Sequence, residues 1–106
     1  MIINLEYVFK EPDGKEIVKE VGSAEKLTLR HAMEVAVLQQ YEGERLSPKD
    51  KYRRYQLFKK IHDWPNADLD LTSDERNVAK TCISKLFEGA LIPGQTWEIL
   101  TETQEK

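Results

Sequence analysis

Cysteine occurs once in the 106 residues, at Cys82, so no internal disulfide can staple the chain. That favours a reducing compartment. No apolar run approaches the roughly 20 residues that a membrane span requires. The opening stretch, Met1-Ile2-Ile3-Asn4-Leu5-Glu6, has neither the basic region nor the apolar core of a signal peptide. A cytoplasmic location is therefore expected, without membrane association. Four prolines and five glycines are too few for low-complexity sequence. Neither sign of charge dominates: a net −3 argues neither for a polyanion binder nor for an acidic mimic of nucleic acid.

What is present suits one folded domain spanning residues 1–106. Apolar residues make up 40% and charged residues 33%, too apolar for a disordered chain. A chain of this length buries one modest core without a metal or disulfide. Charge is unevenly placed. Between Ser47 and Trp64 six Lys/Arg face two acids, a net of +4, which leaves −7 on the rest.

Residues 2–10 alternate as a strand does, with Ile3, Leu5, Tyr7 and Phe9 on one face. Glu11-Pro12-Asp13-Gly14 is turn chemistry. Lys15–Val21 is the expected return strand, with Ile17, Lys19 and Val21 on one side, so a β-hairpin is predicted over about 2–21. Its Tyr/Phe face must pack on something, because a lone hairpin is marginal in water.

Helices follow. Thr28 reads as an N-cap for a helix over about 29–41, whose Leu29, Ala32, Met33, Ala36, Val37 and Gln40 share a face. Val35 and Leu38 widen its apolar surface, and Gly43 lies just beyond. Ser47-Pro48-Lys49-Asp50 opens a second helix over about 48–64, which Pro65 stops. Residues 65–71 read as a loop. Thr72-Ser73-Asp74-Glu75 is a capping box opening a third helix over about 73–88, with Val78, Ala79, Cys82, Ile83, Leu86 and Phe87 on one face. Either a short helix or a third strand fits residues 94–101, and helix is the expected element. The polar end, 101–106, is expected to fray. Strands followed by helices predict an α+β fold: an N-terminal β-hairpin packed on a cluster of three to four helices.

The second helix is the most informative segment. Trp64, Leu57, Ile61, Phe58 and Tyr55 span about half its circumference, with Arg54 inside that arc and Asp50 one turn earlier, able to pair with it. Arg54 either covers the core edge with its stem while its head stays in water, or marks a partner surface, since arginine among aromatics is common in binding hot spots. Lys51, Tyr52, Arg54, Tyr55, Lys59 and Lys60 form the candidate partner surface. Basic residues interleaved with tyrosines would also suit phosphates and bases, although the acidic remainder would repel a polyanion. A homodimer through Tyr52, Tyr55 or Trp97 is compatible with either use.

Nothing local points to catalysis. His31 in a first turn and His62 near a helix C-terminus have ordinary structural explanations. No pair among His31, His62 and Cys82 has zinc-like spacing, and Cys82 on an apolar face reads as a core thiol. Asp68 and Asp70 lack the glycine and the twelfth-position glutamate of a calcium loop. Gly94 is isolated, without a phosphate-cradling pattern. A non-enzyme without cofactor or metal is expected.

Several segments, in order, carry a resemblance: Pro12-Asp13-Gly14 after the first strand, Leu27-Thr28-Leu29-Arg30, Lys51-Tyr52-Arg53-Arg54-Tyr55, Leu69-Asp70-Leu71-Thr72 and Gly94-Gln95-Thr96-Trp97. Over most of residues 2–100 the chain resembles a group of small uncharacterised proteins encoded by tailed bacteriophages and prophages. The motifs are caps, turns and core faces, and none is catalytic. The resemblance implies a phage setting and carries over no site residues. Two functions follow as expectations. The first is a non-catalytic protein-binding module, either a modulator of a host protein or an assembly helper such as a tail-assembly chaperone. The second is a nucleic-acid-associated regulator using helix 48–64.

Overall fold

The alternation at the N-terminus places Ile3, Leu5 and Phe9 in the core, with Tyr7 half-buried beside them. The computed structural model describes residues 2–19, 25–87 and 89–100. Val21, Glu88 and residues 101–106, on which parts of the expected hairpin, third helix and frayed end fall, lie outside them.

The class is α+β, with the N-terminal hairpin packed on four helices. Strand β1 (Ile2–Asn4) pairs antiparallel with β2 (Asp68–Asp70), in the register Ile2↔Asp70, Ile3↔Leu69 and Asn4↔Asp68. Residues 65–71 were expected to be loop throughout, and β2 corrects that. Three residues with one apolar position show no period of their own. The strand exists because Leu69 is buried beside Ile3.

The hairpin turn sits at Pro12-Asp13-Gly14. Lys10 pairs with Glu16, the Gly14 N–H donates to the Glu11 carbonyl (2.8 Å), and Gly14 takes φ +91°. Beyond this turn the two-stranded ladder expected towards residue 21 gives way to a three-way closure. The Ile17 N–H donates to the Phe9 carbonyl (2.8 Å), the Leu27 N–H to Ile17 (2.7 Å), and the Phe9 N–H to Leu27 (3.0 Å). Buried Phe9 and Leu27 draw the third segment in, so backbone pairing is shared among three short pieces.

The same N-terminal piece starts helix α1 (Leu29–Leu38). The Leu29 and Arg30 N–H groups donate to the Tyr7 and Leu5 carbonyls, and that of His31 to the Thr28 hydroxyl. Donors left open at a helix start are thereby satisfied. Leu29, Ala32, Met33, Ala36 and Val37 are buried, as their spacing predicts, whereas Gln40 is exposed beyond the helix. The helix stops before the expected residue 41. Tyr41 folds back, its hydroxyl donating to the Ala36 carbonyl (2.5 Å), and Gln39 turns extended.

Helix α2 (Pro48–Asp63) is capped by Ser47, and α3 (Ser73–Leu86) by the Thr72/Glu75 box, both bonds of which form. Helix α4 (Leu91–Leu100) confirms helix over strand at the C-terminal segment. It starts three residues before the expected 94, because Pro93 falls in the first turn, where its missing N–H costs nothing. Helix α1 is central, packing on α2 and α3, and α4 packs on α3. Gln95 ties α4 to the hairpin as a strand neighbour would. Its amide accepts from the Lys10 N–H (3.1 Å) and donates to the Lys10 carbonyl (2.8 Å), and the Tyr7 hydroxyl donates to the same amide oxygen (2.7 Å). Among the described residues no helix is long and apolar enough to cross a membrane.

Candidate partner surface on helix α2

Helix α2 is long for what it buries: only Leu57 and Ile61 of its 16 residues are fully enclosed, with Phe58 packed beside them. The remaining face must be useful in water or to a partner. Lys51, Tyr52, Tyr55 and Lys59 lie on it, all exposed, with Tyr52 at 60% and Tyr55 at 49%. The Lys59 ammonium stands 6.0 Å over the Tyr55 ring, a weak cation–π contact. Trp64 closes the end of the face. Its indole N–H donates to the Asp68 carbonyl at 2.6 Å, which fixes the ring while leaving it 38% exposed. Tyr52, Tyr55, Lys59, Lys60, Asp63 and Trp64 line a shallow depression of about 470 Å³. Leu38, also exposed, borders a second depression with Lys51 and Tyr55.

The other two candidate residues are engaged within the fold. Arg54 does not pair with Asp50. Its guanidinium meets the Glu44 carboxylate with two bonds (2.7 and 3.2 Å) and donates to the Gln39 carbonyl (3.0 Å). A bidentate pair shielded from water outcompetes an exposed one-turn pair, and Asp50 stays at the N-terminal end of α2, where the dipole favours it. The Arg54 head is therefore not in water either: its side chain is 13% exposed. Lys60 bonds Glu75 at 2.8 Å, binding α2 to the capping box of α3.

Glu44 is a clasp that sequence reading overlooked. It accepts from Arg54, from Lys85 of α3 (2.7 Å) and from the Tyr41 N–H (2.9 Å). The Arg54 bond, with help from Lys85 and Tyr41, holds its carboxyl down at about 2. Burial pushes the neighbouring Tyr41 hydroxyl up to about 12 and also raises the enclosed Cys82 thiol. Burial opposes ionisation of Glu75, but the Lys60 and Thr72 bonds outweigh it and hold the carboxyl below its ordinary value. Arg30 was likewise seen only as part of a motif. Its guanidinium donates to the Ile61, Trp64 and Asn66 carbonyls and pairs with Glu6, closing the C-terminal end of α2. No local signal marks Glu44 or Arg30, since the partners of their charged groups are distant except the Tyr41 amide.

The histidines are apart. His62 stacks on Phe58 (centroids 5.2 Å apart, 16° between planes) with Nδ1 3.3 Å from Glu34, and His31 sits at the start of α1. Asp68 and Asp70 are exposed on either side of Leu69 in β2. Among the described residues no three His, Cys, Asp or Glu side chains are grouped as metal ligands would be. No protein-family model, no curated protein and no solved structure matches the chain.

Proposed function

We propose that this chain is a non-catalytic protein-binding module of phage or prophage origin, acting in the bacterial cytoplasm as a modulator of a host protein or as an assembly helper such as a tail-assembly chaperone. The observation that carries the binding role is the outer face of α2, where Tyr52, Tyr55 and the pinned Trp64 stand exposed among lysines. Exposed aromatics beside lysines have the composition of binding hot spots. The phage setting rests on the sequence resemblance alone. A second reading, a nucleic-acid-associated regulator, draws on the same helix, because Lys49, Lys51, Arg53 and Lys59 form no ion pair among the described residues.

Affinity capture from infected and uninfected host lysate tests both. The wild type is run beside the triple variant Tyr52→Ala, Tyr55→Ala, Lys59→Glu, with nuclease and at two salt concentrations. A protein that survives nuclease and is lost with the variant supports the module. A protein retained by the variant removes α2 as the surface. Nucleic acid alone, released as salt rises, supports the second reading.

A further inference from the structure

We propose that the α2 face docks an acidic polypeptide segment: carboxylates meet Lys51 and Lys59, and an apolar side chain between them lies against Tyr52 and Tyr55. This rests on the reading of α2 as the docking surface and adds the chemistry of what docks there.

Charge complementarity selects the occupant. Among the described residues Lys19 pairs with Glu25, Lys26 with Glu16, Arg30 with Glu6, Arg54 and Lys85 with Glu44, and Lys60 with Glu75. On α2, Lys49, Lys51, Arg53 and Lys59 form no ion pair among the described residues, and of these Lys51 and Lys59 bracket the exposed aromatics. At about 100° per residue, Lys51, Tyr52, Tyr55 and Lys59 fall within an arc of about 100°. At about 1.5 Å rise, the two lysines stand roughly 12 Å apart along the axis. Carboxylates that meet both would lie about four residues apart in an extended segment, or about two turns apart in a helix.

The same surface disfavours a polyanion. Arg54, the side chain best shaped for phosphate, is held by Glu44, and Lys60 by Glu75. Asp63 lies in the lining of the depression, one turn beyond Lys59. A phosphate backbone, charged at every residue, would run onto that carboxylate. A polypeptide can place acids against Lys51 and Lys59 and a neutral or basic residue opposite Asp63.

The test selects binders for the full chain from a random peptide display library and measures labelled winners by fluorescence anisotropy. The winners are expected to be net acidic with an apolar residue between carboxylates. Their affinity should fall about ten-fold or more with Lys51→Met plus Lys59→Met, which keeps the aliphatic stems. A similar fall is expected with Tyr52→Ala plus Tyr55→Ala, and progressive weakening as salt rises. Circular dichroism and thermal unfolding establish that each variant is folded. Neutral or basic winners that still depend on Tyr52 and Tyr55 overturn the acidic chemistry and leave the α2 surface standing. A library whose winners are indifferent to both pairs, or that yields none, overturns the surface as well. A thymidine oligonucleotide of 20 residues that binds more tightly than every selected peptide overturns the polypeptide assignment.

Discussion

Helices α1 and α2 lie against each other and are built for opposite ends. Five of the ten residues of α1 are buried and its first turn has no acid. Its start is held by the Thr28 side-chain cap together with backbone carbonyls of the N-terminal segment, and its end by Tyr41. Helix α2 has 16 residues, two of them buried, with a side-chain cap at its start and Arg30 at its end. One helix is held by what surrounds it. The other is held along one edge and presents the rest. In a small protein this divides the labour: burial concentrates in α1 and its contacts, and substitutions on the outside of α2 are expected to cost little stability.

Substitution can break that division. The largest effect is expected at Met33, which is fully buried. Met33→Ala should cost about 2–5 kcal/mol in urea unfolding, and native-state labelling of the enclosed Cys82 thiol should accelerate in parallel. A loss below about 1 kcal/mol would mean that the core does not pack closely around Met33.

Arg30→Ala should come next, at about 2–3 kcal/mol, because it leaves the carbonyls ending α2 without their cationic donor. Arg30→Lys should recover only part, since one ammonium cannot span three acceptors. Full recovery would show that charge alone suffices there.

Glu44→Gln should cost about 1–3 kcal/mol near neutrality and should change the acid limb. The folded carboxyl is held at about 2, below its ordinary 4.5. Its stabilisation is therefore complete above the ordinary value and is lost as pH falls from there towards 2. Thermal midpoints of the wild type should drop through that window more steeply than those of the variant. Parallel curves would show that Glu44 does not clasp Arg54 and Lys85 in solution. Smallest of all is Tyr55→Ala, expected within about 0.5 kcal/mol of wild type. A larger loss would mean that this ring is packed rather than presented.

Helices α1, α2 and α3 and their starts were legible because their causes are local, whereas α4, which has no side-chain cap, was expected three residues too late. Thr28, Ser47 and Thr72 each cap an amide three residues on, and the face of α1 follows from 3.6-residue spacing. The Pro12-Asp13-Gly14 turn belongs with them. At the site, local sequence marked the aromatics and lysines of α2 but could not sort the presented from the engaged. Tyr52 and Lys59 face water, whereas Arg54 and Lys60 answer to Glu44 and Glu75, 10 and 15 residues away.

By itself, then, the sequence determined that α1, α2 and α3 coil, where they begin and most of the side chains that α1 turns inward, since those depend on neighbours within a turn. The pairing of β1 with β2, the three-way closure of Phe9, Ile17 and Leu27, the Gln95 bridge and the partners of Arg30 and Glu44 were decided only by the tertiary structure. Each joins groups that meet only after the core has formed. Their energies depend on distance and on exclusion of water, which no local pattern of residues carries.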